Sequence, residues 1–193
     1  MLFRSEYVPK HLLTRLHGYE LLMAPYAIAH LKIGLKLYET GYRFGSDERA
    51  RVYLTNALEP EGDRQLTLDF LPALAHEAEA VNEIKRKRRF TVVIGNPPYN
   101  NRSENKTRWI MDLIEAYKSS VRREETEIQA LSDDYVKFLR LAEWNVSRTG
   151  AGALGMITSN GYLDGHIFRD MRGHLARASS RLRVFNLHGD TDR

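Results

Sequence analysis

The 193-residue chain contains no cysteine, which excludes disulfides and thiolate metal sites. It has no apolar run of the roughly 18 residues that mark a membrane-spanning helix. Its opening, Met1-Leu2-Phe3-Arg4-Ser5-Glu6, lacks the apolar stretch of a secretory signal. The seven histidines are scattered, with no His-x-x-x-His pair, so no metal site is expected. Internal repeats and low-complexity tracts are also missing. Proline is sparse, and two of the six are adjacent, Pro97 and Pro98. What remains is ordinary globular material. Its 42% hydrophobic content suffices for a core, and its length suits one domain or slightly more. A net charge of +4 and a pI near 9.3 are compatible with a polyanionic partner.

The adjacent prolines sit in the most informative stretch. Val92-Val93-Ile94-Gly95 reads as a buried strand, and Asn96-Pro97-Pro98-Tyr99 follows it. Proline has no N–H and a fixed φ, so two in succession lock a stiff extended turn. The Asn96 side-chain oxygen and the Pro97 carbonyl can each accept one proton of an NH2 group. Two acceptors on one amine draw its lone pair out of conjugation and towards an electrophile. Tyr99 can stack on the ring that carries the amine. The plain alternative is an ordinary strand-ending Pro-Pro turn. The strand before and the aromatic ring after favour the amine grip.

Along the chain, residues 12–19 read as a short strand ending near Glu20. Pro25 opens a helix, a position proline tolerates. Ile28, Leu31, Leu35 and Tyr38 mark one apolar face of it, and Gly41 is its stop. A strand is expected at 51–55, a polar connection at 59–64 and a helix from about 72 to 88. The strand at 90–95 leads into a polar loop over 100–108. Helices are expected at 109–122 and from Ser132, which can cap, with Asp133 and Asp134 in the first turn. Tyr135, Phe138, Leu139, Ala142 and Val146 form that helix's buried face. A strand at 153–158, a helix from Phe168 to Ala176 and a strand at 182–188 complete the order. Such alternation implies a parallel sheet with crossover helices.

In such sheets ligands sit beyond the carboxyl ends of the strands. Glu20, Asn56, Asn96 and Ser159-Asn160 each follow a strand, so one crevice is expected to hold all four. Glu20 can accept hydrogen bonds from two ribose hydroxyls; capping the next helix is its plainer role. Met23 suits packing on an adenine ring, or core filling. Asn56 offers an acceptor oxygen and a donor amide at a strand end, and suits an ordinary turn equally well. The cluster Lys85-Arg86-Lys87-Arg88-Arg89 reads as a solvated helix end rather than a phosphate contact. Arg102, Lys106 and Arg108, beyond the turn, are better placed for nucleic acid. Gly150-Ala151-Gly152-Ala153-Leu154-Gly155 fits G-x-G-x-x-G, but it leads from helix to strand, the reverse of the phosphate-binding order. His188 reads as a structural strand-end histidine. Asp164 and His166 are expected on a loop near that crevice, where they could touch nucleic acid.

Three further stretches carry a family resemblance: "GYELLMAPYAIAHLKIGLKL" at 18–37, "VYLTNALEP" at 52–60 and "GALGMITSNGYLDGHIFRDMRGHL" at 152–175. With the Asn-Pro-Pro-Tyr turn between them, the chain resembles adenine-specific, S-adenosylmethionine-dependent DNA methyltransferases. Within these it resembles the methyltransferase region of large single-chain restriction-modification enzymes that also carry a helicase. The resemblance implies that Asn96, Pro97, Pro98 and Tyr99 grip the amino group of a flipped adenine. It implies that Glu20, Met23 and Asn56 bind the cofactor, and that Arg102, Lys106, Arg108 and Asn160 touch DNA. It implies a cytoplasmic enzyme with no metal.

The fold implied is α/β, a partial Rossmann-like methyltransferase sheet, mostly parallel, lacking its first strand and glycine-rich loop. The segment "RVFNLHGDTDR" resembles the family's sixth strand, and the target-recognition region is expected to be absent. Residues 1–193 would then be one partial catalytic domain, poorly stable alone through its unpaired strand edges and weak in cofactor binding. Two alternatives stay open. One is methyl transfer to another planar amine, in protein glutamine or RNA guanine. The other is a non-catalytic DNA-binding remnant.

Overall fold

The structure is a computed structural model that describes residues 2–45, 48–60, 72–99 and 103–187. The chain divides into two compact units, Met1–Arg88 and Arg89–Arg193.

In the first unit, helix α1 (Leu2–Tyr7) runs into a π-helical turn at Val8–Leu12. The strand expected over 12–19 therefore begins only at His17. The Leu16 N–H still bonds back to the Leu12 carbonyl, and the Thr14 hydroxyl to that of Lys10. Strand β1 (His17–Glu20) pairs in parallel with β2 (Arg51–Leu54), from His17 opposite Arg51 to Glu20 opposite Leu54. One more bond, Thr55 N–H to the Glu20 carbonyl at 2.7 Å, carries the ladder to the strand ends.

Helix α2 (Met23–Glu39) crosses between these strands, with Pro25 in the first turn, where the backbone N–H has no helical partner to lose. It stops at Gly41, whose φ of +87° is left-handed. The apolar face marked by that spacing is not buried: Ile28, Leu31, Leu35 and Tyr38 are 51–62% exposed. The unit's core forms on another flank, where Leu37 meets Val8, Leu13 and Tyr42, with Leu12, Ile33 and Phe44 around them. Helix α3 (Pro72–Lys87) buries Val81.

In the second unit, β3 (Val92–Gly95) pairs in parallel with β4 (Ala153–Met156). The strand does not have the expected double-sided burial. Helix α6 (Asp134–Ser147) packs against this pair, while Val92 and Ile94 are exposed. The helix expected over 109–122 is broken into α4 (Arg108–Ile114), a 3-10 turn at Glu115–Tyr117, and α5 (Val121–Glu124). The break has a partner far along the chain. Asp170, on α8 (Arg169–Ala178), accepts the N–H groups of Ser120 (2.5 Å) and Val121 (3.0 Å) and the hydroxyls of Ser119 and Ser120.

Asp133, not Ser132, caps α6, accepting the Tyr135 N–H at 3.2 Å. Tyr135, Val136 and Leu139 of that helix join Tyr117, Val121, Leu131, Phe168, Met171 and Leu175 in the core. Helix α7 (Gly161–Asp164) and a 3-10 turn at His166–Phe168 link β4 to α8. Residues 182–187, expected in a last strand, form none. They find no ladder partner among the described residues, and Phe185 and Leu187 stay exposed. His188 lies outside the described residues.

The glycine pattern at 150–155 has a structural explanation. Gly150 takes a φ of +76° after α6. At Gly152 a Cβ would lie 2.2 Å from the Thr91 carbonyl oxygen and 2.8 Å from a Val146 methyl, so only glycine admits this backbone approach. Gly152→Ala should therefore lower the free energy of unfolding by about 2 kcal/mol or more. Gly155→Ala, whose new carbon would sit 3.7 Å from Ile94, should change it by less than about 0.5 kcal/mol. Urea unfolding of the pair checks this.

A second expectation concerns pH. Burial pulls the Asp170 carboxyl upward, but bonds from the Val121 N–H, the Ser120 hydroxyl and N–H and the Ser119 hydroxyl outweigh it. They hold its pKa down to about 2 against an ordinary 3.8. Its stabilisation is complete above the ordinary value and is lost as pH falls towards the depressed one. The gap in stability between wild type and Asp170→Asn should be full at neutral pH and close between about pH 4 and pH 2.

Candidate functional site

In the second unit the carboxyl ends of β3 and β4 lie side by side, with Gly95 opposite Met156 and the Ile157 N–H bonded to the Gly95 carbonyl at 3.0 Å. The chain then leaves the sheet at Asn96, because Pro97 and Pro98 have no N–H to continue the ladder. Asn96 is exposed, and Pro97 is buried and anchors the corner. Among the described residues nothing hydrogen-bonds the Asn96 amide or the Pro97 carbonyl. The Asn96 oxygen is therefore open to a donor, while the equally unpaired Pro97 carbonyl belongs to a buried residue. The Tyr99 ring is 53% exposed and leans on Tyr135, centroids 6.2 Å apart at 57°; Tyr135 in turn leans on Tyr162 at 6.5 Å. A planar group at this corner would find two acceptors and one ring.

A polar cluster absent from the sequence reading lies next to it. Lys137 and Asp134, both buried on α6, reach the segment that follows the corner. The Lys137 ammonium donates to Ser103 Oγ and to the Asn105 carbonyl, each at 2.6 Å. Asp134 accepts the Ser103 hydroxyl at 2.5 Å and the Asn105 amide at 2.8 Å. Burial pulls the Lys137 pKa down, an effect that Asp134 opposes. The only sequence signal was a charged pair inside a helix of otherwise apolar period.

In the first unit, Glu20 and Asn56 stand at the carboxyl ends of the paired β1 and β2. Glu20 Oε1 accepts the N–H groups of Leu21 (2.9 Å) and Leu22 (3.0 Å), which fixes the turn into α2. These bonds close the turn before the helix; no side chain caps α2 itself, and the turn occupies one carboxylate oxygen. Met23 follows, 56% exposed. Asn56 holds a turn: its side-chain oxygen accepts the Leu58 N–H at 3.0 Å, and its amide donates to Glu59 at 3.3 Å.

Lys85 is neither a phosphate contact nor part of a solvated helix end. Its ammonium turns inward to Thr55 Oγ1 (3.0 Å) and the carbonyls of Asn56 (2.7 Å) and Glu59 (3.1 Å), strapping this loop to α3.

Of the expected nucleic-acid contacts, Lys106 and Asn160 are exposed, and Asn160 opens α7 at the end of β4. Arg108 is also exposed and lies 3.6 Å from Asp112. Arg102 lies outside the described residues. His166 faces Glu125 at 3.0 Å, and Asp164 ends α7 exposed. Among the described residues no cluster of three or more His, Asp or Glu side chains could hold a metal ion, and no helix is long and apolar enough to cross a membrane.

Removing the Lys85 ammonium should loosen the 55–59 loop. Lys85→Met should lose about 2 kcal/mol of stability, the scale of hydrogen bonds to a charged donor, and hasten amide exchange at Leu58 and Glu59. Arg86→Ala, an exposed neighbour, should change neither beyond about 0.5 kcal/mol.

Comparison with known proteins supplies the family. The structure is similar to an ATP-dependent Type ISP restriction-modification enzyme, LlaBIII, bound to DNA, with a TM-score of 0.66 at 22% identity, over 87% of this chain and 12% of that one. It is similar to a nuclease-deletion mutant of the Type ISP enzyme LlaGI in complex with a DNA substrate mimic, with a TM-score of 0.68 at 21% identity, over 89% and 14%. It is similar to the cryoEM structure of a DrdV–DNA complex, with a TM-score of 0.61 at 24% identity, over 84% and 16%. The chain thus spans a small fraction of the length of these enzymes, and the likeness is one of fold. Comparison with curated protein sequences gives no match. Residues 18–192, nearly the whole chain, match one family, and on that ground the chain belongs to the Eco57I restriction-modification methylases.

Proposed function

We propose that this chain carries the catalytic machinery of an adenine-specific DNA methyltransferase in a restriction-modification system, transferring a methyl group from S-adenosylmethionine to the exocyclic amine of an adenine. The observation that carries the reading is the corner after β3. Two oxygen acceptors, on Asn96 and Pro97, have no partner among the described residues, beside a half-exposed aromatic ring. Membership of the methylase family supports it.

The adenine must leave the duplex to reach such a corner, at a cost of a few kcal/mol. Stacking on Tyr99 offsets about 1–3 kcal/mol of that. Asn96 Oδ1 and the Pro97 carbonyl each accept one N–H of the amine. The nitrogen lone pair is thereby freed to attack, and no base has to remove a proton first. Holding the amine against the electrophilic methyl would supply much of the rate. As the N–C bond formed, the S–CH3 bond of S-adenosylmethionine would break, S-adenosylhomocysteine would leave with the sulfur electron pair, and the surplus proton on nitrogen would pass to water.

The residues of the first unit fit a nucleoside cofactor. Glu20 keeps one carboxylate oxygen beyond those bonded to Leu21 and Leu22, enough for ribose hydroxyls. Met23 offers an exposed apolar chain for an adenine ring, and Asn56 offers an amide at the neighbouring strand end. S-adenosylmethionine would supply the electrophilic methyl. Lys106 and Arg108, with Arg102 and Asn160, would touch the nucleic acid, the lysine and arginines through phosphates.

Transfer of labelled methyl groups tests the proposal, with duplex DNA, RNA and glutamine-containing peptide as acceptors. DNA alone should be labelled, on adenine N6. Asn96→Ala should reduce labelling at least a hundredfold while cofactor affinity stays within about twofold, and Tyr99→Ala should weaken binding of a DNA carrying an unpaired target adenine by roughly tenfold or more, as loss of one stacking contact requires. Near wild-type labelling by Asn96→Ala would end the assignment. DNA binding with no labelling at all would favour a non-catalytic remnant.

A further inference from the structure

The geometry points to the first turn of α6 as the positioning platform for the amine-gripping corner, with Lys137 and Asp134 as positioning residues that reach it through Ser103 and Asn105. The inference rests on the adenine reading of that corner. Three observations converge on one helical turn. Tyr135 carries the Tyr99 ring. Asp134 and Lys137, one residue before and two after, make four bonds to Ser103 and Asn105, which lie four and six residues past Tyr99. Asp133 caps the same turn by accepting the Tyr135 N–H.

Stability alone does not account for such a cluster. Burying an ammonium and a carboxylate costs several kcal/mol per ion before pairing, and apolar side chains of equal volume often do as well or better. A buried ion pair does fix register, because any slip strands a charge. The corner requires that service. Its prolines remove it from the β ladder, so no sheet hydrogen bond sets where Asn96, Pro97 and Tyr99 stand relative to one another. A site of this kind needs its groups held to within about half an ångström. Ser103 joins the two sides of the latch: its hydroxyl donates to Asp134, accepts from Lys137 and accepts the Asn105 N–H at 3.2 Å. The charged groups facing Lys137 are Asp134, Asp133, Lys118 and Lys106.

The test uses the full 193-residue chain, nuclear magnetic resonance and 9-methyladenine as probe. In wild type the probe should shift the Asn96 side-chain amide and the Tyr99 ring. In Lys137→Met and in Ser103→Ala its affinity should fall at least tenfold. Amide exchange at Ser103 and Asn105 should rise at least tenfold, while the resonances of His174, bonded to Glu143 two turns further along α6, stay in place. Ser103→Ala decides the matter if Lys137→Met does not fold. Variants that melt earlier yet bind 9-methyladenine as wild type does would overturn the inference and leave the adenine reading standing. If wild type itself shows no probe-dependent shift at Asn96 or Tyr99, the reading and the inference fall together.

Discussion

Two successive residues without a backbone N–H govern the second unit. At Pro97 and Pro98 strand β3 loses its means of pairing, and the chain must turn out at Asn96 whatever the side chains prefer. Everything nearby answers that constraint. Pro97 is buried as the pivot. The ring that follows rests on Tyr135, and the segment beyond it is bonded to helix α6. A corner that the sheet cannot hold is held from a neighbouring helix instead.

The first unit shows a related economy of groups. Glu20 and Asn56 both carry local turns on their own strand ends. Such bonds orient a side chain without exhausting it, since a carboxylate has about four acceptor sites and an amide oxygen two. The turn role and the ligand role proposed for Glu20 are therefore compatible: the turn into α2 aims the carboxylate. Lys85 does the corresponding work for the Asn56 loop, from a helix that begins beyond a stretch of chain outside the described residues.

Local chemistry was legible in the sequence, and distant chemistry was not. Strands β2, β3 and β4 and helix α3 stand where apolar runs and punctuation by glycine and proline place them. The corner itself was readable because proline acts within its own residue. Leu12 to Leu16 deceived, since a short apolar run suits a helical turn as well as a strand. The break near Ser120 was invisible because its cause, Asp170, lies fifty residues onward. The exposed stripe of α2 obeys helical spacing faithfully, yet the core of the unit gathers around Leu37 instead. Lys137 and Lys85 were hidden for one common reason. A lysine in a sequence reads as a solvated charge, and only the carbonyl and hydroxyl oxygens of a remote loop reveal that it faces inward.

The sheet of the second unit presents Val92 and Ile94 on a face that helix α6 does not cover. Beside them, β3 pairs with β4 alone among the described strands. An apolar face next to an open edge makes a sticky colloid. With a formal charge of only +4 at neutral pH and a pI near 9.3, mutual repulsion between molecules is weak and vanishes in mildly alkaline buffer. Handling the isolated chain is thus a matter of acidity and dilution: solutions kept well below the isoelectric point will stay clear to higher concentration than those near it.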